Sequence, residues 1–304
     1  MSAATSRDRT REGVVTVHEL KRAWLALERG QFRQRRIGGS RTVRVHPVLQ
    51  SRAPGADAAW QAVEPVLPVV GCAGSVGAST LALALATAAS SPDTGAGRTR
   101  VVECCSVTAS GLAAATTAEL GPHSSGWVQG TRGEVLLERV VDAVRAPDEV
   151  PLPSIEAPYA VSLTVLDVGW EVGLLLENGG WLSDQLRRAP HVVAVARATV
   201  PGLRRLEGVL AMLDGTSVTA AVLEPRPPIG RLRGLRGIES SMGARTRELD
   251  RDGRVHHILL DPLLAHRGLD SQPLPAPLLS AAQRLLAAAT AAPNPSAQTK
   301  GRPQ

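Results

Sequence analysis

Between Glu64 and Asp93 the chain carries no charged side chain, and this stretch restricts the possible folds more than any other feature. So long an uncharged run must leave water, either for a bilayer or for a protein core. Pro65, Pro68, Gly71, Gly74 and Gly77 interrupt it, along with Ser75, Ser79 and Thr80. Its apolar part within 81–89 falls well short of the roughly 20 residues that span a membrane. The pattern reads instead as a buried strand at 67–70, a glycine turn, and a buried helix at 79–89.

The remainder of the 304 residues continues that alternation. Apolar, β-branched runs at 100–104, 161–167, 191–196, 217–223 and 254–260 read as strands. Helical spacing is read at 134–145, 180–188, 201–213 and 278–290, and the Ala/Gly/Ser/Thr-rich stretch 105–126 reads as a small-residue helix with a loop. Apolar strands separated by helices predict an α/β fold, a mostly parallel, doubly wound sheet with helices on both faces. Tyr and Phe occur once each, so the core has to be aliphatic. The expected organisation is a basic arm over 1–55, one domain over 60–292 and a disordered tail over 293–304.

Charge is concentrated in the arm. Residues 1–53 hold twelve Lys/Arg against four Asp/Glu, whereas the rest of the chain is nearly balanced. A second excess lies at 225–247, with six arginines against Glu239. In the arm, Thr16 and Glu19 have capping-box spacing, and Val17, Leu20, Trp24 and Leu27 share one helix face that Gly30 can end. Arg33, Arg35, Arg36, Arg41 and Arg44 follow around Gly38 and Gly39. Three readings of the arm remain open: a solvated tail, a non-specific contact with nucleic-acid backbone, and docking of the apolar helix face to a protein partner.

The charged first forty residues contain no signal-like apolar run, so the expectation is a cytoplasmic chain without a transmembrane segment. Cys72, Cys104 and Cys105 suit neither a disulfide framework nor metal-ligand spacing. They read as small buried hydrophobes, with a thiol pair at the sheet edge as the sharper alternative. His256 and His257 alternate within a strand and read as packing residues before metal ligands. Trp127, Trp170 and Trp181 read as packing at helix ends or as part of a partner surface.

The order strand, glycine turn, helix puts the turn at the carboxyl edge of a parallel sheet. There the turn's N–H groups and the helix N-terminus face outward together, an arrangement that attracts phosphate. Gly74, Val76, Gly77, Ala78, Ser79 and Thr80 would form the cradle, and the Ser79 hydroxyl can hold Mg²⁺. A dinucleotide-binding turn would need G-x-G-x-x-G, which Gly71, Gly74 and Gly77, three apart, do not supply.

With these residues the chain resembles the ParA/MinD family of P-loop ATPases, whose loop reads K-G-G-x-G-K-[ST]. Gly74, Gly77 and Ser79 match it and Thr80 continues it, while both lysine positions are alanine, Ala73 and Ala78, and the second glycine is Ser75. Val165-Leu166-Asp167 resembles the family's Walker B strand, which implies that Asp167 joins Ser79 at a Mg²⁺ position. Val101-Val102-Glu103 falls where the family has a strand ending in an acid, with Cys105 at its second acidic position. The resemblance runs over about residues 64–290 and implies a P-loop NTPase-like sheet, ATP and Mg²⁺ as ligands, and self-association.

The missing loop lysines resemble the CpaE/TadZ branch, which implies a role in positioning or partition, or in regulating a secretion or conjugation apparatus, with little or no hydrolysis. Lysine occurs only at Lys21 and Lys300, so a substitute cation inside the domain must be an arginine, and Arg98, Arg132 and Arg197 are the candidates. The alternatives are an ATPase served by such an arginine, and a DNA-binding accessory protein using the arm. Two expectations for the site stay open: ATP with Mg²⁺, or no cofactor at all.

Overall fold

A computed structural model describes residues 60–91, 97–106, 109, 111–123, 126–140, 144–153, 160–225 and 239–290. The basic arm with its expected helix, the C-terminal tail, and Arg226, Arg231, Arg233 and Arg236 lie outside the described residues.

Nine strands form one sheet: β1 (Val66–Gly71), β2 (Arg98–Cys104), β3 (Ala118–Pro122), β4 (Trp127–Arg132), β5 (Val135–Val140), β6 (Val161–Val168), β7 (Val192–Arg197), β8 (Val218–Glu224) and β9 (Val255–Leu259). Their spatial order is β3-β4-β5-β2-β6-β1-β7-β8-β9. Pairing is parallel from β5 through to β9, and antiparallel only in β3–β4 and β4–β5. The helices are α1 (Ala78–Ala89), α2 (Val172–Asn178), α3 (Gly180–Arg188), α4 (Val200–Met212), α5 (Ala244–Arg251), α6 (Pro262–Arg267) and α7 (Ala276–Thr290). No described helix is long and apolar enough to cross a membrane.

Strand alternation divides the interior into two cores, one on each sheet face. Val69, Val101, Val165, Val193 and Val195 meet α1, α6 and α7 on one side. Val70, Val102, Leu166, Ala194 and Ala196 meet α2, α3, α4 and α5 on the other. The uncharged helix α1 buries eight of its residues, as a helix apolar all round must. Each fully buried leucine of this kind contributes about 1.5–3 kcal/mol.

Residues 105–145 depart from the sequence expectation. The helix read at 134–145 contains strand β5, and the helix-plus-loop reading of 105–126 gives way to edge strand β3. Arg132 pairs with Val135, leaving Gly133 and Glu134 as a two-residue hairpin turn with Gly133 at φ +55°. In the sheet Glu138 is fully buried and accepts from Gln129 Nε2 at 2.8 Å.

That carboxylate belongs to a polar cluster inside the α2–α5 face. Arg100, also buried, donates through Nε to Thr164 at 3.0 Å and pairs with Glu64 and, at 3.5 Å, with Glu138. Its guanidinium lies 5.7 Å from the centre of the Trp60 ring, and Trp60 meets Trp181 edge to face at 5.5 Å. Burial pushes the Glu138 carboxyl above its ordinary range, against the pull of Arg100 and Gln129.

Among the described residues, Trp60, Trp127 and Trp181 pack inside the protein. Trp127 and Trp181 are buried and donate their indole N–H groups to Leu152 O and Val150 O. A partner surface built from those two is thereby corrected, since both rings face inward.

Candidate functional site

β1 ends at Gly71, and residues 72–77 turn at the carboxyl rim before α1 begins. Ser75 (φ +57°) and Gly77 (φ +98°) both lie in the left-handed region, with Val76 buried between them. Turns of this kind gather successive N–H groups on one side. Gly77 is the N-cap of α1, with no side-chain cap and no acidic residue in the first turn. Among the described residues no side chain caps the start of that helix, whose first N–H groups have no intrahelical partner.

Gly77 is required at its position. A Cβ there would strain the left-handed backbone and come within 2.8 Å of Leu223 Cδ2. We expect Gly77→Ala to destabilise the fold by about 1–3 kcal/mol, measured by urea denaturation. No loss would show that the turn relaxes freely.

Asp167 lies near the end of β6, in register with Val69 of β1 and Glu103 of β2. It is almost fully buried, and its Oδ1 has no hydrogen-bond partner among the described residues. Burial pushes the carboxyl up to about 7; the Ser79 hydroxyl pulls it back down, and Glu103 nearby adds a further rise. The two residues expected to meet, Ser79 and Asp167, are thus neighbours across the β1–β6 pair.

Glu103 has a role the sequence left undefined. Its Oε1 accepts from the N–H groups of Gly111 and Leu112 at 2.7 and 2.8 Å. This draws the β2–β3 connection over the rim, so close that a Cβ on Gly111 would lie 3.3 Å from Ser79 Oγ. The positions matching the family's lysines hold Ala73 and Ala78, whose methyl groups pack against the α1 core.

The three candidate arginines part company. Arg98 pairs with Glu134 at 2.9 Å, at the start of β2 and away from the rim. Arg132 is spent on the carbonyls of Ala115, Asp270 and Gln272. Arg197, at the end of β7, donates Nη2 to Ser75 O in the turn at 3.1 Å. In the second basic cluster, Arg245 pairs with Asp214 at 2.7 Å and Arg247 donates to Met242 O. The arm arginines Arg33, Arg35, Arg36, Arg41 and Arg44 lie outside the described residues.

Beside the turn runs a small apolar groove, lined by Gly77, Thr80, Leu223, Ile258, Leu264 and Leu278 among others. Sequence reasoning missed it, because its walls come from β8, β9, α6 and α7, which only the fold brings together. Burial pushes the Cys72 thiol up to about 12 and raises those of Cys104 and Cys105 as well, which disfavours the thiolate form of each.

The residues fit a nucleotide with its metal in two respects and lack a third. A buried carboxylate oxygen without a partner stands beside a hydroxyl at an uncapped helix start, and the turn is open, with nothing within 4 Å of a Cβ built on Gly74. The turn carries no cationic side chain of its own.

No protein-family model matches the chain, and no curated protein matches it. Among solved structures it is similar to a plasmid partition protein from Borrelia burgdorferi bound to AMPPNP, at 12% identity over 74% of this chain and 97% of that one, with a TM-score of 0.43. It is similar to apo McdA of Cyanothece at 10% identity, over 73% and 99% of the two chains, with a TM-score of 0.47. For the cell division ATPase MinD of Pyrococcus furiosus the values are 13% identity, 74% and 99% coverage, and a TM-score of 0.39.

Proposed function

We propose that the rim around residues 72–80 binds ATP with Mg²⁺, and that the protein is a ParA/MinD-like factor with a degenerate nucleotide site. The observation that carries this reading is Asp167: a buried carboxylate with one oxygen unpartnered, facing an uncapped helix start that bears the Ser79 hydroxyl. A bare helix N-terminus is common. A buried polar atom without a partner is rare in folded proteins and needs an explanation, such as an ion.

In this reading the backbone N–H groups of Gly74, Val76, Gly77, Ala78, Ser79 and Thr80 receive the phosphates. Ser79 and Asp167 hold Mg²⁺, which when bound supplies positive charge against the phosphate oxygens. The apolar groove receives the base. Glu103 keeps the 111–112 backbone against Ser79.

Hydrolysis is slow or absent, because phosphoryl transfer depends on positioned charge and Ala73 and Ala78 offer none. Losing one such contact costs about 10²–10³-fold in rate. An arginine-assisted ATPase is the second reading, favoured by the contact of Arg197 with the turn. The cellular role we infer is cytoplasmic positioning or partition, or regulation of a secretion or conjugation apparatus. It would act through a protein partner or a second copy, with the arm arginines adding non-specific contact with DNA backbone.

Calorimetric titration of the full chain with ATP and Mg²⁺ tests the reading. We expect saturable binding, weakened in Asp167→Ala, with ATP turnover near background. Absence of binding would overturn the nucleotide site. Brisk turnover abolished by Asp167→Ala would decide for the second reading.

A further inference from the structure

We infer that Arg197 provides the phosphate-facing charge that the turn lacks, delivered from the neighbouring strand β7 rather than from the turn itself. This rests on the nucleotide-site reading above and adds which side chain carries the charge and which ligands it selects, those with a diphosphate.

Several observations converge on this residue. β7 is the parallel neighbour of β1, with Gly71 in register with Val195, and the Cys72 N–H donates to Val195 O at 2.8 Å. The turn is thus anchored to the strand that ends in Arg197. Strand alternation puts Arg197 on the same sheet face as Val193 and Val195, which is the α1 face and also that of Val165 and Asp167.

The connections add to this. α1, following β1, covers one face, whereas α4, following β7, covers the other. Adjacent strands whose helices diverge in this way open a crevice at their carboxyl ends, where α/β sheets take their ligands. Asp167 flanks the turn from β6 on one side, and Arg197 flanks it from β7 on the other.

The arginine is also held in place and still has donors to offer. Thr199 N–H donates to Arg197 O and Ala198 N–H to Leu223 O, at 2.8 and 2.9 Å. A Cβ on Gly202 would come within 2.2 Å of Arg197 O, so the first turn of α4 seats directly on this backbone. The guanidinium gives one donor to Ser75 O. It has no acidic partner among the described residues, unlike Arg98 with Glu134. A guanidinium presents five N–H donors in a planar fork. With one edge on the turn, the rest can meet phosphate oxygens in the two-bond geometry that arginine favours.

The test compares ATP, inorganic pyrophosphate and adenosine as ligands of the full chain, by calorimetry, for wild type, Arg197→Ala and Arg197→Lys. We expect Arg197→Ala to weaken ATP and pyrophosphate by about 10–100-fold, the scale of a lost charge-assisted contact. Adenosine binding and melting temperature should not change, and Arg197→Lys should recover part of the affinity. If wild type binds ATP and pyrophosphate and Arg197→Ala binds them equally well, the inference falls while the nucleotide site stands. An equal loss of adenosine also overturns it, since that marks a structural role. If wild type binds none of the three, site and inference fall together.

Discussion

Asp167→Asn is expected to make the protein more stable at pH 8, by about 1–3 kcal/mol. The wild-type carboxyl is buried and pushed up to about 7, from an ordinary value of 3.8. Between those values the folded state holds a proton that the unfolded chain has released. Stability therefore falls as pH rises through this window and is lowest above it. At roughly 1.4 kcal/mol per pH unit the full penalty approaches about 4 kcal/mol, of which the buried amide returns a part. At pH 4 the folded carboxyl is protonated and the unfolded one, with its ordinary value of 3.8, is only partly ionised, so most of the advantage should vanish. Urea denaturation of both proteins at pH 4 and pH 8 makes the comparison. A variant less stable at pH 8 would mean that a charged Asp167 is already well compensated. The expected gain fits a residue kept for binding at the expense of the fold.

The second large effect lies away from the rim. Arg100→Leu should destabilise the fold by about 3–5 kcal/mol, the usual cost of leaving a buried partner charge unpaired. Glu138 is fully buried and Glu64 half-buried, and Arg100 is the cation that both of them meet. Since the Glu138 carboxyl is already raised, acidification should relieve part of the loss. The double variant Arg100→Leu/Glu138→Gln should recover much of the stability, because a neutral pair leaves less buried charge unmet. Denaturation followed by tryptophan emission suits the measurement, as Trp60 lies over the guanidinium. Equal stability of Arg100→Leu and wild type would show that water reaches the cluster.

The rim was readable in advance and the far flank was not, for one physical reason. Residues 66–89 combine burial on both faces with glycines where the backbone must turn, so periodicity and turn chemistry agree. Asp167 follows an apolar run whose position in the chain order fits a central strand. Residues 118–140 satisfy two templates at once. Val135, Leu136 and Val140 suit a helix face equally well, and only the Gly133-Glu134 turn marks the hairpin. Tertiary pairing with β2 decided between them. The short helices α2, α5 and α6 escaped because each has fewer than nine residues and little periodicity to detect.

Ser79 and Asp167 were foreseeable as neighbours, since one opens the helix after β1 and the other lies near the end of the later apolar strand β6. The bond from Glu103 to residues 111–112 was not, because it depends on a loop path that no spacing rule predicts. Arg197 stood among three candidates, and only the register of β7 against β1 separated it from the others.

The bare start of α1 has an evolutionary consequence. Its attraction for anions comes from peptide groups, which every substitution except proline leaves intact. A lineage can therefore discard its catalytic side chains codon by codon while the pocket's affinity for polyanions erodes slowly. On the proposed reading, such a protein would stop turning over its ligand yet still sense its presence, the beginning of a regulator derived from an engine.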